Sequence, residues 1–143
     1  MLRSCFTRIV NQQSYYRVGV KGIAIDETGR ILLSLEKDGR WSMLGGGLHH
    51  NEDPVQGLIR EVYEETGLDV TYVSKSPLYF LTVPKSDTGL FAANIIYEIR
   101  LGSIDFTPSD ECQQLRFFAV DEMHALSLVP SAERLLKILQ GLS

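Results

Sequence analysis

The chain has 143 residues, 44% hydrophobic and 22% charged, with a formal net charge of −4, which suffices for one globular domain with a sizeable core. Lys and Arg are scattered rather than clustered, which argues against duplex nucleic acid as a partner, because the phosphate backbone needs a basic footprint. No apolar run reaches the roughly 18–20 residues of a membrane span, the start MLRSCFTRIVNQQ has no secretory apolar segment, and Cys5 and Cys112 make neither a disulfide framework nor a zinc site. A reducing, cytoplasmic setting without a membrane follows as the expectation. Residues 1–143 are read as one domain, of which about the first 15 form an N-terminal extension.

Residues 16–26, YRVGVKGIAID, predict a mostly buried strand, which the turn ETG leads as a hairpin into a second strand, RILLSLE, over 30–36. KDGR makes another turn, and WSMLGGGLHHNED a glycine-rich loop. A helix then opens with Asp53 as N-cap, Pro54 at the first position and Gln56 in a capping-box place, and stops at Gly67. Residues 69–83 and 90–101 predict long strands joined by a PKSDTG turn; in the second, Ile95, Tyr97, Ile99 and Leu101 alternate with Asn94, Ile96, Glu98 and Arg100. A last strand over 113–120, a short helix from Asp121 to Leu126 and an amphipathic helix in PSAERLLKILQG complete the chain. Strands interleaved with two principal helices define an α+β domain, with a mixed sheet between helices.

The stretch LIREVYEETGL carries the chemistry. At about 100° per residue, Val55, Leu58, Ile59, Val62 and Thr66 share a core stripe, while Glu61, Glu64 and Glu65 occupy an arc elsewhere. Those glutamates lie at the helix C-terminus, where the dipole disfavours negative charge, and repel one another at the i,i+3 and i,i+4 spacings. Arg60, one turn before Glu64, cannot neutralise all three. A divalent cation removes both penalties together. Oxygen ligands without His or Cys suit Mg²⁺, with Mn²⁺ as a substitute, and Mg²⁺ shares its shell with substrate phosphates.

Gly46, Glu52 and the run Arg60-Glu61-Val62-Tyr63-Glu64-Glu65-Thr66-Gly67-Leu68 match every fixed position of the Nudix box, and the chain resembles a Nudix domain over nearly its whole length. The resemblance implies an α/β/α sandwich with a mixed β-sheet, and a hydrolase of nucleoside diphosphates linked to another moiety. It implies that Glu61, Glu64 and Glu65 bind metal, that Arg60 orients a box glutamate, that Glu52 is the earlier acidic member of the site, and that the Gly46 carbonyl approaches the metal. Gly45, Trp41 and His49 join Glu52 as candidate substrate-facing residues: Trp41 either stacks on a base or flanks the core, and His49 either touches phosphates, serves as an extra ligand or stands exposed in its loop. Leu44, His49 and Asn51 depart from commoner residues at places that are not fixed in the box.

The reaction implied is water attack on a phosphorus of a pyrophosphate linkage, with a carboxylate as general base. Glu64 in the box is one candidate base. Asp110 and Glu111, in the loop before the last strand, lie where the family often supplies an extra acid, and Glu111 is preferred; Glu98 is read as structural. Pro84 resembles the ADP-ribose-type subgroup, while the short chain resembles nucleoside triphosphate pyrophosphatases equally well. The partner expected is a small nucleotide, for a monomer or homodimer. A non-catalytic module that senses a nucleotide or binds a protein would usually have lost box acids, all of which are present here. An isopentenyl diphosphate isomerase needs a catalytic cysteine, for which Cys112 is the candidate.

Overall fold

The computed structural model describes residues 15–85 and 89–141; Cys5 and, apart from Tyr15, the expected N-terminal extension lie outside the described residues. The longest strand, β7 (Leu90–Leu101), organises the fold. Strand β1 (Tyr16–Ala24) runs parallel to it from Tyr16↔Phe91 to Ala24↔Ile99, and β4 (Leu44–Gly47) pairs antiparallel with β1. The other edge of β7 takes β5 (Val70–Val73) at its end and β6 (Tyr79–Lys85) along its first half, both antiparallel. Strands β2 (Ile31–Leu35), β3 (Trp41–Ser42) and β8 (Gln114–Phe118) form a second, antiparallel sheet in the order β3-β2-β8.

Helix α1 (Pro54–Thr66) packs on β4, β1 and β5, whereas α3 (Pro130–Leu139), preceded by the single turn α2 (Val120–Met123), packs on β6 and β3. Successive strand side chains face opposite ways, so β7 feeds two cores. Tyr97 and Ile99 join Leu58 and Val62 of α1, and Ile96 joins Leu135 and Leu136 of α3. This is the expected α/β/α sandwich. Complete burial of Leu58 and Val62 contributes roughly 1.5–3 kcal/mol each, while Val55 and Ile59 of the same stripe are only half-buried. Among the described residues no helix is long and apolar enough to cross a membrane.

Four local expectations change. The β1–β2 hairpin reduces to one bridge, Ile25↔Ile31; β2 leaves to pair with β8, because Leu32 and Leu33 enter opposite cores. Part of the glycine-rich loop is strand β4, in which Gly45, at φ 123°, lies so close to β1 that a Cβ would strike the Val20 carbonyl. The single strand over 69–83 is two: Ser74 and Leu78 donate their N–H groups to the Glu98 and Ile96 carbonyls at 2.9 and 2.7 Å, and the chain loops out between them at Pro77. Ile96, which alternation put on the polar row, is fully buried, since both faces of the sheet are covered.

Candidate active site

Helix α1 begins as its sequence requires. The Asp53 side chain accepts the N–H groups of Val55 and Gln56 at 3.0 and 3.2 Å, and Gly67, at φ 73°, closes the helix by donating its N–H to the Tyr63 carbonyl. The three glutamates of the last turns then diverge. Glu61 turns toward β4, with its carboxyl against Gly46, where a Cβ would collide with it. Glu64 has a side chain 52% exposed. Glu65 turns inward, is 9% exposed and accepts the Gly45 N–H at 3.0 Å.

Arg60 does more than the ion pair with Glu64. It grips Glu52 in bidentate fashion at 2.7 and 2.8 Å, and also donates to Glu61 at 3.0 Å, to Glu64 at 3.1 Å and to the Gly47 carbonyl at 3.1 Å. Bidentate Arg–carboxylate pairing is among the stronger polar contacts. The Arg60 bonds, with the His49 N–H behind them, hold the Glu52 carboxyl down at about 2, and the pairing with Glu52 raises Arg60 above its ordinary value. Glu65 lies outside this clasp. Burial pushes its carboxyl up to about 8, against the pull of Lys21 and the Gly45 N–H; the Lys21 ammonium itself donates to the Gly45 carbonyl at 3.0 Å.

Two cavities meet at β4. One, of about 380 Å³, is lined by the carboxylates of Glu36, Asp38, Glu61, Glu65, Asp110 and Glu111, with Lys37 and Gly45. The other, of about 340 Å³, has the cations Arg17, Lys21, Arg40 and Lys85, with Gly46 and Gly47 on its β4 side. Glu36 lines both. Among the described residues no three His, Cys, Asp or Glu side chains stand together so as to hold a metal ion as they are arranged; Arg60 keeps Glu61 and Glu64 to itself. The donor set of the acidic cavity nonetheless fits a hard divalent cation, being all oxygen and strongly negative.

The structure brings Glu61, Glu65 and Glu111 to one cavity and Gly45 and Gly46 to the strand between the two. The loop that bears Asp110 and Glu111 is tied to the end of α1: the Ser109 hydroxyl donates to the Glu65 carbonyl at 3.2 Å, and the Ser109 N–H to the Cys112 carbonyl at 2.9 Å. Glu64, Arg60 and Glu52 form the clasp behind the acidic cavity. Trp41 stands apart, its ring edge-on to Phe118 at 4.8 Å and packed on the α3 core, and it lines neither cavity. His49 is exposed at 64% of its side chain and lines neither. Cys112 is fully buried, and burial pushes its thiol up to about 11, so no ready thiolate serves an isomerase. Sequence reading missed Arg17, Lys21 and Asn94. The signal was present in β1, where Arg17, Gly19 and Lys21 occupy alternate positions of an otherwise apolar strand.

A family model of the NUDIX domain matches residues 15–139. A MutT-like protein of Streptomyces ambofaciens is 32% identical over 127 residues, 88% of this chain and 79% of the relative. An 8-oxo-dGTP diphosphatase of Proteus vulgaris is 54% identical over 33 residues, which are 23% of this chain and 30% of that protein. Among solved structures, the MutT NUDIX hydrolase from Burkholderia pseudomallei superposes with a TM-score of 0.74 at 22% identity, over 87% of this chain and 98% of its own. The chain belongs to the Nudix family. It is a hydrolase acting on phosphorus-containing anhydrides, in a family that generally uses divalent metal cations.

Proposed function

We propose that the protein is a Mg²⁺-dependent hydrolase, for which Mn²⁺ can substitute, that cleaves the pyrophosphate linkage of a nucleoside diphosphate derivative or a (deoxy)nucleoside triphosphate. It works as a single domain over 1–143, as a monomer or homodimer in the cytoplasm. The observation that carries this reading is the contact of an acidic and a basic cavity across β4, which suits a cation-bound phosphate chain laid from one to the other. Mg²⁺, when bound, supplies the positive charge that activates water and polarises phosphoryl oxygens. Glu61, Glu64, Glu65 and the Gly46 carbonyl are the groups to hold it, and Arg60 orients Glu61 and Glu64. Arg17 and Lys21 meet phosphate oxygens from the basic side. Glu111, facing the acidic cavity, takes the proton of the attacking water. The names of the MutT-like and diphosphatase relatives support this class of substrate.

The test is hydrolysis, with Mg²⁺, of a panel of ADP-ribose, ADP-sugars, dinucleotides and (d)NTPs, read by chromatographic separation of the nucleotide products. Turnover of at least one is expected. Binding without turnover of any would replace this reading with that of a non-catalytic sensor.

A further inference from the structure

In the loop between β7 and β8, Asp110 and Glu111 sit at the tip of a turn that one side chain closes. Ser109 and Cys112 exchange two hydrogen bonds: the Ser109 N–H donates to the Cys112 carbonyl at 2.9 Å, and the Cys112 N–H to the Ser109 hydroxyl at 3.3 Å. The hydroxyl stands where a second main-chain carbonyl would complete the pair. Asp110 and Glu111 are the two residues left between, and both line the acidic cavity. Downstream the turn is anchored to the second sheet. The Cys112 side chain is fully buried, and the Gln113 N–H donates to the Leu35 carbonyl of β2 at 2.8 Å.

Upstream the anchor is the same hydroxyl. A hydroxyl has one proton to give and lone pairs with which to accept. With the Cys112 N–H on its oxygen, Ser109 directs its proton to the Glu65 carbonyl at 3.2 Å. Glu65 lies in the last turn of α1, where main-chain carbonyls have no partner within the helix. The Glu65 carbonyl finds one in Ser109, 44 residues along the chain. The side chain of the same Glu65 lines the acidic cavity and accepts the Gly45 N–H of β4 at 3.0 Å. One hydroxyl therefore joins the helix end that carries Glu61 and Glu65 to the turn that carries Glu111, beside the cavity they share.

We propose that Ser109 is a positioning residue of the hydrolytic reaction, whose hydroxyl fixes the turn that bears Glu111 against the cation-binding end of α1. The cation and the proton acceptor come from different elements, and an acceptor works only within hydrogen-bond reach of its water. Without the hydroxyl the tip keeps its downstream anchor on β2 but loses its register on α1, and Glu111 samples positions out of reach of the water. Ser109 thus acts through Glu111. This inference rests on the reading of the chain as a pyrophosphohydrolase with Glu111 as its base, and adds the residue that holds that base in place.

Steady-state kinetics on the best substrate of the panel, with Mg²⁺ present, tests it. Ser109→Ala should lower kcat roughly tenfold, the size expected for two lost hydrogen bonds, with KM and the Mg²⁺-dependent rise in Tm unchanged. Ser109→Thr, which keeps the hydroxyl, should recover most of the rate. In a Glu111→Gln background Ser109→Ala should have no further effect on kcat, because the base it positions is gone. A merely structural serine would cost the same in both backgrounds. A wild-type rate for Ser109→Ala, an equal loss in both backgrounds, or no recovery with Ser109→Thr overturns the proposal, as does a Glu111→Gln variant as fast as the wild type. Amide hydrogen exchange reads the anchor without substrate: Ser109→Ala should speed exchange of the Cys112 N–H roughly tenfold and leave the amides of β7 as they are. Unchanged Cys112 exchange overturns the proposal as well. If the wild type turns over no substrate, the hydrolase reading fails, and the exchange result alone then decides whether Ser109 holds the turn.

Discussion

The two cavities share Glu36 and strand β4 but are built in opposite ways. The acidic one draws Glu61 and Glu65 from a single helix, Asp110 and Glu111 from one loop and Asp38 from the turn before β3, and its helix glutamates are organised by one guanidinium that touches Glu52, Glu61, Glu64 and the Gly47 carbonyl. The basic one takes Arg17 and Lys21 from β1, Lys85 from β6, Asn94 from β7 and Ser131 from α3. Groups that share a partner couple strongly, whereas groups on separate elements with separate partners act nearly independently. The acidic side should therefore respond to substitution as a unit, and the basic side piece by piece.

The largest effect should come from Glu111, an acid outside the clasp. Glu111→Gln should lower kcat roughly 10²- to 10⁴-fold, the range for losing a general base, with Mg²⁺ affinity nearly unchanged. Glu98 lines neither cavity, and Glu98→Gln should be close to silent. Equal rates for Glu111→Gln and wild type on the best substrate would return the base role to the box, to Glu64.

The clasp itself gives the next effect. Arg60→Met leaves Glu52, Glu61 and Glu64 without their common partner, and a lower midpoint is expected in urea unfolding. Combining it with Glu52→Gln should cost much less than the sum of the two. Additive losses would show that the acidic side is no more of a unit than the basic one.

This difference also governs what the sequence discloses. The box runs from Gly46 to Leu68, and spacing on one helix is enough to place Glu61, Glu64 and Glu65 on a common arc. Helix caps at Asp53 and Gly67 follow from local backbone chemistry and are found where expected. The strand roles are different. Nothing local distinguishes a glycine-rich loop from β4, because the pairing with β1 that makes it a strand is a tertiary contact. Trp41 looks available for stacking until Phe118, far along the chain, closes on its ring. The Asn94–Gly19 register is a parallel pairing of strands distant in sequence, which no window of either strand contains.

A smaller effect bears on the cation. A ligand bound only by the native state stabilises it by RT ln(1 + [L]/Kd), so Mg²⁺ at ten times its Kd should add about 1.4 kcal/mol, read as a rise in Tm. Glu61→Gln and Glu64→Gln should each weaken that response, and Arg17→Met, on the other cavity, should leave it intact. A full response in Glu64→Gln would confine the cation to the acids that line the cavity. No response in the wild type, even with a nucleotide analogue present, would remove the argument for a cation.

The smallest effect concerns acid and isolates Glu52. Its folded carboxyl is held at about 2, below the ordinary 4.5, chiefly by the Arg60 hydrogen bonds. A carboxyl depressed on folding stabilises the native state above its unfolded value, and that contribution disappears as pH falls toward its folded value. The Glu52 share of stability should therefore be constant above about 4.5 and decline between there and about 2. Glu52→Gln should flatten this part of the stability–pH profile, measured by chemical unfolding at a series of acid pH values. Arg60→Met should flatten the same interval, because the depression originates in the clasp, whereas Lys21→Met, on the basic side, should leave it steep. A profile for Arg60→Met as steep as that of the wild type would mean that the His49 N–H alone holds the carboxyl down, and the acidic side would then lose its claim to a single organising residue.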